Sequence, residues 1–241
     1  MMLRLLICIG FFLPIIGCAS TSNSPEVAPK KLLPIFEMPT EPPDPLPKDS
    51  DNRVLIHNAT VMTAAGQTYA PGFILFDNGI IEEVGAGKGP KPTKETTVID
   101  AAGGFVTPGI IDTHSHMGVY AVPSARAHSD GNEMVQPITP YVSAEHSFWP
   151  QDPNLERARS GGVTTIQVLP GSGNLIGGRA FTAKLHQATS ARAMRFPGAP
   201  VGLKMACGEN PKRVYGNRGG PQTRMGNIAG FRKAFQKAYE Y

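Results

Sequence analysis

The chain has 241 residues, of which 41% are hydrophobic and 17% are charged, and its net charge at pH 7 is +4. This length allows one large domain or two small ones, and the composition is that of a globular protein. The small net charge, without a dominant tract of lysine or arginine, argues against a nucleic-acid partner.

Residues 1–18 resemble the signal peptide of a bacterial lipoprotein. Arg4 gives a positive start, and residues 5–16 form an apolar stretch shorter than the ~20 residues that a transmembrane helix needs. The run Ile15-Ile16-Gly17-Cys18 resembles a lipobox, in which cleavage precedes a lipidated cysteine. We therefore expect Cys18 to anchor the chain by lipid in the bacterial cell envelope, facing the periplasm. An ordinary signal peptide is the alternative.

Residues 19–51 are rich in proline, which removes backbone donors and favours extended structure, so they predict a disordered tether. Residues 52–106 predict a small β unit of short apolar runs. In this unit, Asp77-Asn78-Gly79 is typical of a hairpin turn, because asparagine and glycine both tolerate positive φ.

The pair His114 and His116 follows Pro108-Gly109, a turn signal, and the apolar residues Ile110-Ile111. A run this short predicts a buried strand rather than a helix. Side chains two apart on a strand point the same way, so the two imidazoles are expected to share one face. Two converging imidazoles can hold a divalent metal ion.

Residues 118–151 predict a long irregular loop that contains His128 and His146, which are either further metal ligands or exposed loop residues. Asp152-Pro153 then predicts the start of a helix that ends at Gly161-Gly162. Residues 163–169 predict a buried parallel strand, residues 170–178 a glycine-rich turn, and residues 201–206 a further strand.

The helical pattern of residues 224–241 places four apolar side chains on one face, namely Ile228, Phe231, Phe235 and Ala238. Cys207 is expected to be a small buried residue.

The chain resembles the amidohydrolase superfamily, and within it the imidazolonepropionase-like branch. The resemblance rests on three runs: Val98-Ile99-Asp100-Ala101-Ala102-Gly103-Gly104, Val106-Thr107-Pro108-Gly109-Ile110-Ile111-Asp112-Thr113-His114-Ser115-His116, and Gly161-Gly162-Val163-Thr164-Thr165-Ile166-Gln167-Val168-Leu169-Pro170-Gly171. It implies an α/β fold with a small β-sandwich unit over residues 52–106 and part of a TIM barrel over residues 107–241. It also implies a metal-dependent hydrolase of amide C–N bonds, with His114 and His116 holding one or two divalent ions, most simply Zn²⁺.

Members of this superfamily complete the metal site with a glutamate or a carboxylated lysine from a middle strand. In this chain either Glu209 or Lys204 fits that role, and a surface salt bridge is the alternative for each. Glu209 is better placed at the end of a strand, whereas Lys204 better suits a carbamate that bridges two ions.

A TIM barrel needs about 250 residues and eight strands, so residues 107–241 are expected to form about half a barrel. The resemblance implies that two histidines and an aspartate from later strands are missing. We therefore expect an incomplete, inactive hydrolase for small amides, such as cyclic amides or dipeptides, with an open edge that favours self-association or a complementary C-terminal half. The alternative is a non-catalytic envelope lipoprotein that uses the fold for binding or scaffolding.

Overall fold

A computed structural model of the protein describes residues 53–241, so the predicted signal peptide, the tether and Cys18 lie outside the described residues. The strands are β1 (Val54–Met62), β2 (Thr68–Asp77), β3 (Ile80–Ala86), β4 (Thr97–Asp100), β5 (Phe105–Val106), β6 (Ile110–Ser115), β7 (Val163–Val168), β8 (Ile176–Arg179), β9 (Phe181–Lys184) and β10 (Leu203–Met205). The α-helices are α1 (Pro153–Ser160), α2 (Ala191–Met194), α3 (Glu209–Tyr215) and α4 (Arg224–Glu240).

Strands β1 to β5 form one five-stranded sheet in the order β3-β2-β1-β4, with β5 also paired to β1. β2 runs antiparallel to β1 and β3, whereas β4 and β5 run parallel to β1. At the β2–β3 turn, Asn78 and Gly79 have φ values of 48° and 78°. Positive φ at both positions is what a type I′ turn requires, so the predicted hairpin is confirmed.

A β-sandwich needs two sheets packed face to face. Residues 53–106 form a single sheet with a small apolar cluster of Leu55, Phe73 and Leu75. The second layer of a sandwich is not formed within this region of the described chain, so the sandwich stays a prediction.

The second half contains a three-stranded sheet in the order β6-β7-β9 and a two-stranded β8–β10 pair. β6 and β7 are parallel, and β9 is antiparallel to β7. Mixed α/β structure is therefore established for the chain. The closed ring of parallel strands that defines a TIM barrel is not present within residues 53–241, and the partial barrel stays a prediction.

β7 runs through the main core, whereas β6 does not. Ile166 and Val168 of β7 are both 0% exposed, and the ring of Phe181 from β9 packs edge-on against Phe148 at 5.2 Å. Ile110 and Ile111 of β6 are 57% and 62% exposed. The expectation of a strand at these two residues is confirmed, but the expectation of burial is wrong, because β6 has a partner strand on only one side.

Helix α1 begins and ends as the sequence predicts. Asp152 is its N-cap, with a side chain that accepts a hydrogen bond from the Asn154 N–H, and Gly161 is its C-cap. The buried Asp152 carboxylate also accepts hydrogen bonds from the N–H groups of Gly118 and Val122. This single side chain therefore connects α1 to the start of the long loop that follows β6.

Two details of the C-terminal third differ from expectation. On α4 the buried residue is Asn227, whereas Ile228 and Phe235 of the predicted apolar face are 46% and 54% exposed. Cys207 is exposed rather than buried, because it lies in the turn between β10 and α3. No helix within residues 53–241 combines the length and apolarity needed to cross a membrane.

Candidate functional site

His114 and His116 lie together at the C-terminal end of β6. Their ring centroids are 5.3 Å apart, and the ring planes are nearly perpendicular, at 86°. The backbone N–H of His114 donates to the Asp112 carboxylate at 3.0 Å. This hydrogen bond restrains the backbone just before the histidine pair. The ring of Tyr120 lies edge-on to His116, with centroids 5.9 Å apart.

The orientation of His116 is set by the neighbouring strand. Its Nδ1 lies 2.8 Å from the carbonyl oxygen of Leu169, just beyond β7. A carbonyl can only accept, so Nδ1 carries the hydrogen and Nε2 of the neutral ring keeps its lone pair free. The Leu169 N–H in turn donates to the carbonyl of Ser115 at 2.9 Å. This arrangement is the usual second contact of a metal-binding histidine.

Lys204 of β10 is only 7% exposed, while its neighbours Leu203 and Met205 are 43% and 38% exposed. The strand therefore buries its amine and leaves its apolar side chains outside, the reverse of ordinary strand patterning. Lys204 Nζ lies 3.2 Å from Nε2 of His114. No carboxylate in the described part of the chain forms a salt bridge with it.

The two groups influence each other's protonation. The positive charge of Lys204, followed by burial, lowers the pKa of His114. Burial lowers the pKa of Lys204 itself. Both shifts favour neutral nitrogen atoms with free lone pairs, which is the form that binds metal ions.

Glu209, the other predicted ligand, is not brought to this site. It is the first residue of α3, its side chain is 74% exposed, and it forms a salt bridge of 2.6 Å with Lys212. That hydrogen bond and the charge of Lys212 lower the pKa of Glu209. The arrangement is the surface salt bridge that the sequence left open as the alternative for this residue.

The two loop histidines are also placed elsewhere. His128 stacks on Trp149 with ring centroids 4.5 Å apart, and His146 is exposed on a short 3₁₀ turn, Ala144–Ser147. Within residues 53–241 there is no group of three or more His, Cys, Asp or Glu side chains that could hold a metal ion. The structure does bring three nitrogen-bearing side chains together: Lys204 Nζ lies 3.2 Å from His114 Nε2, and the His116 ring lies 5.3 Å from the His114 ring.

A cavity of about 280 Å³ opens beside His116. Its walls include Tyr120 and Asn132 from the long loop, the segment 171–173, and Asn210 and Arg213 from α3. A Cβ at Gly171 would lie 2.1 Å from Asn132 Oδ1, so any larger residue there would displace the Asn132 side chain from this wall. Sequence reasoning missed this cavity, since its walls come from three distant segments and no local pattern joins them.

No protein-family model matches the chain. The solved structure of an amidohydrolase from Thermotoga maritima is 40% identical with a TM-score of 0.71, and the match covers 78% of this chain and 48% of that one. A protein named amidohydrolase tasK, from Hapsidospora irregularis, is 36% identical over 206 residues, which are 81% of this chain and 20% of its own length. The chain belongs to the amidohydrolase superfamily.

Imidazolonepropionase of Bacillus cereus is a further relative, 28% identical over 116 residues, which are 42% of this chain and 27% of its own length. The superfamily resemblance that the sequence predicted from the run ending in His114-Ser115-His116 is thus confirmed. The chain spans about half the length of the solved relative and a fifth of tasK.

Proposed function

We propose that this amidohydrolase chain holds a divalent metal ion at His114, His116 and Lys204, and that the site serves hydrolysis of C–N bonds in small cyclic amides or dipeptide-like compounds. The observation that carries the proposal is the 3.2 Å approach of the buried Lys204 Nζ to His114 Nε2. An amine buried without an acidic partner costs stability and contributes no structural ion pair in return. A role in the site accounts for its position.

The chain's own groups prepare the site for an ion. Leu169 fixes the tautomer of His116, so that Nε2 presents a lone pair. While Lys204 is protonated, its charge lowers the pKa of His114 and favours the neutral ring. A Zn²⁺ or similar ion held by these nitrogens would supply Lewis acidity, which would polarise a carbonyl group and acidify water.

Lys204 serves in one of two ways. As a neutral amine it supplies one lone pair to a single ion. As a carbamate, formed when the neutral amine adds to CO₂ and releases a proton, it would offer two oxygen atoms, enough to hold two ions. The lowered pKa of the buried amine favours the neutral form that either path needs. Zinc stoichiometry, with the carbamate signal from ¹³C-bicarbonate in NMR, separates the two.

We further propose that the chain alone binds zinc weakly and hydrolyses nothing measurable. A catalytic zinc usually has three protein ligands and an open position, and the described part of the chain gathers no third His, Cys, Asp or Glu beside the pair. The open edge of β6 is the surface where a complementary C-terminal half, or a second copy, would add strands and further ligands.

The test compares zinc binding and turnover in the chain and its variants. His114→Ala and His116→Ala should each lower zinc affinity at least tenfold, and the control His146→Ala, an exposed loop histidine, should not. Turnover of cyclic amides and dipeptides should appear only when a complementary C-terminal piece is added. Zinc binding that is equal in all four proteins would contradict the metal site.

A non-catalytic binding or scaffolding protein is the second candidate. It is favoured by the lack of a complete group of metal ligands within residues 53–241. Absence of turnover with the complementary piece present, together with retained zinc binding, would support it over the hydrolase.

We propose a lipid anchor at Cys18 and a location in the bacterial envelope, facing the periplasm. The support is the run Ile15-Ile16-Gly17-Cys18 after a short apolar segment. Cys18→Ser should release the protein from the membrane fraction, whereas the matched control Cys8→Ser should leave it there. A Cys18→Ser protein that still sediments with membranes at the wild-type level would contradict the anchor.

A further inference from the structure

The cavity beside His116 contains one permanently charged side chain, Arg213 of α3. Its exposed guanidinium forms no salt bridge with a carboxylate of the described chain. Glu209, one turn earlier, is paired with Lys212 instead. The cavity therefore has a metal-site histidine and an arginine without an anionic partner in its lining.

Hydrogen bonding directs further donors into the same space. Arg213 can only donate, so the side-chain oxygen of Asn210 must face it, at 3.3 Å. The amide nitrogen of Asn210 then donates to Ser172 Oγ at 2.6 Å. Because Ser172 accepts in this bond, its own hydroxyl hydrogen is free to donate to a ligand. Arg213 and Ser172 both line the cavity, and both are donors there.

We infer that the substrate is an amide that carries a carboxylate close to its scissile C–N bond, and that Arg213 and Ser172 bind this carboxylate while the bond faces His116. The inference rests on the proposed function for the identity of the reacting bond. A planar guanidinium matches a carboxylate in geometry as well as in charge. The cavity volume of about 280 Å³ favours a small substrate of this kind.

The experiment measures binding of two probes of nearly the same shape, N-acetylglycine and its neutral amide, N-acetylglycinamide. Dissociation constants come from NMR titration of the 241-residue chain, without metal and with zinc. We expect N-acetylglycine to bind at least about tenfold more tightly, the ratio typical of a charge-assisted hydrogen bond. Arg213→Gln should remove the preference, and Arg213→Lys should keep part of it. Arg232→Gln, on the exposed surface of α4, is the control and should leave the preference unchanged.

Equal binding of the two probes, or a preference that survives in Arg213→Gln, would overturn the inference. Circular dichroism and the unfolding midpoint verify that each variant is folded, and Ser172→Ala gives a second, smaller change at the same site. The chain could prefer N-acetylglycine and yet bind no zinc and hydrolyse nothing, even with a complementary piece. That result would overturn the proposed hydrolase and support the carboxylate site. Equal hydrolysis of neutral and anionic amides supports the hydrolase and overturns the carboxylate site.

Discussion

Strands β6 and β7 are parallel neighbours in one sheet, yet they differ in almost every physical property. β7 lies between β6 and β9, and its Ile166 and Val168 have no exposed surface. β6 has one partner strand, and its Ile110 and Ile111 are more than half exposed. The histidine pair nevertheless lies at the C-terminal end of β6, and the Leu169 carbonyl that holds His116 comes directly after β7.

The residues that stabilise the fold and the residues of the candidate site therefore lie on neighbouring strands. Apolar burial is roughly proportional to the area removed from water, so β7 contributes much more to folding than β6. The main contribution of β6 is to position the two histidines at its C-terminal end. Variants in the two strands should therefore fail in different assays.

The largest expected effect tests this comparison directly. Ile166→Ala should lower the free energy of unfolding by about 2–5 kcal/mol, because it opens a cavity in the core. Ile110→Ala removes the same atoms from an exposed position and should change it by less than about 0.5 kcal/mol. Urea unfolding of both variants gives the two values. Equal losses would show that β6 is covered in solution, and repetition at lower protein concentration would reveal whether a second copy covers it.

A second effect concerns the link between the two strands. Asp152 caps the helix before β7 and binds the backbone of the loop after β6 through Gly118 and Val122. Asp152→Ala should cost about 1–3 kcal/mol, because it leaves buried N–H groups without acceptors. Glu156→Ala, on the exposed side of the same helix, is the control and should cost less than about 0.5 kcal/mol. A similar loss in both variants in thermal unfolding would contradict the role of Asp152 as a link.

Lys204 tests whether the site is maintained at the expense of stability. Lys204→Met keeps the length of the side chain and removes a buried amine, so it should raise the free energy of unfolding by about 1–2 kcal/mol. The same variant should bind zinc at least tenfold more weakly. Lys212→Met, at the exposed Glu209 pair, should change neither quantity much. A destabilised Lys204→Met protein would mean that the lysine has a structural role.

The smallest expected effect is a pH dependence of stability that arises from His186. This residue follows β9, the strand that pairs with β7 on the side away from β6. Burial lowers the pKa of His186, so the unfolded chain takes up a proton before the folded chain does. Stability should therefore be complete above the ordinary histidine pKa of about 6.5 and fall as the pH drops below it. His186→Gln should flatten this part of the profile, as followed by the unfolding midpoint between pH 7.5 and 5. An unchanged slope in the variant would assign the dependence to another group.

Much of the local structure was predictable from the sequence. The Asn78-Gly79 turn, the Asp152-Pro153 start of α1 and its end at Gly161 were all predicted, and the structure confirms them. These features depend on the φ preference or hydrogen bonding of a few adjacent residues, so the information lies within one short window. Strand alternation likewise predicted that His114 and His116 would lie close together, and their rings are 5.3 Å apart.

Only the tertiary structure decided which distant residues meet. Lys204 lies beside His114, 90 positions away, while Glu209 pairs with its own helix, and the sequence offered both as partners. The exposure of β6, of Cys207 and of the apolar residues of α4 was likewise hidden. Burial depends on which elements pack on each side of a residue, and periodicity identifies a face without identifying its neighbour. The sequence by itself determined the local turns, the caps and the histidine pair, whereas long-range packing determined that Lys204, and not Glu209, lies beside that pair.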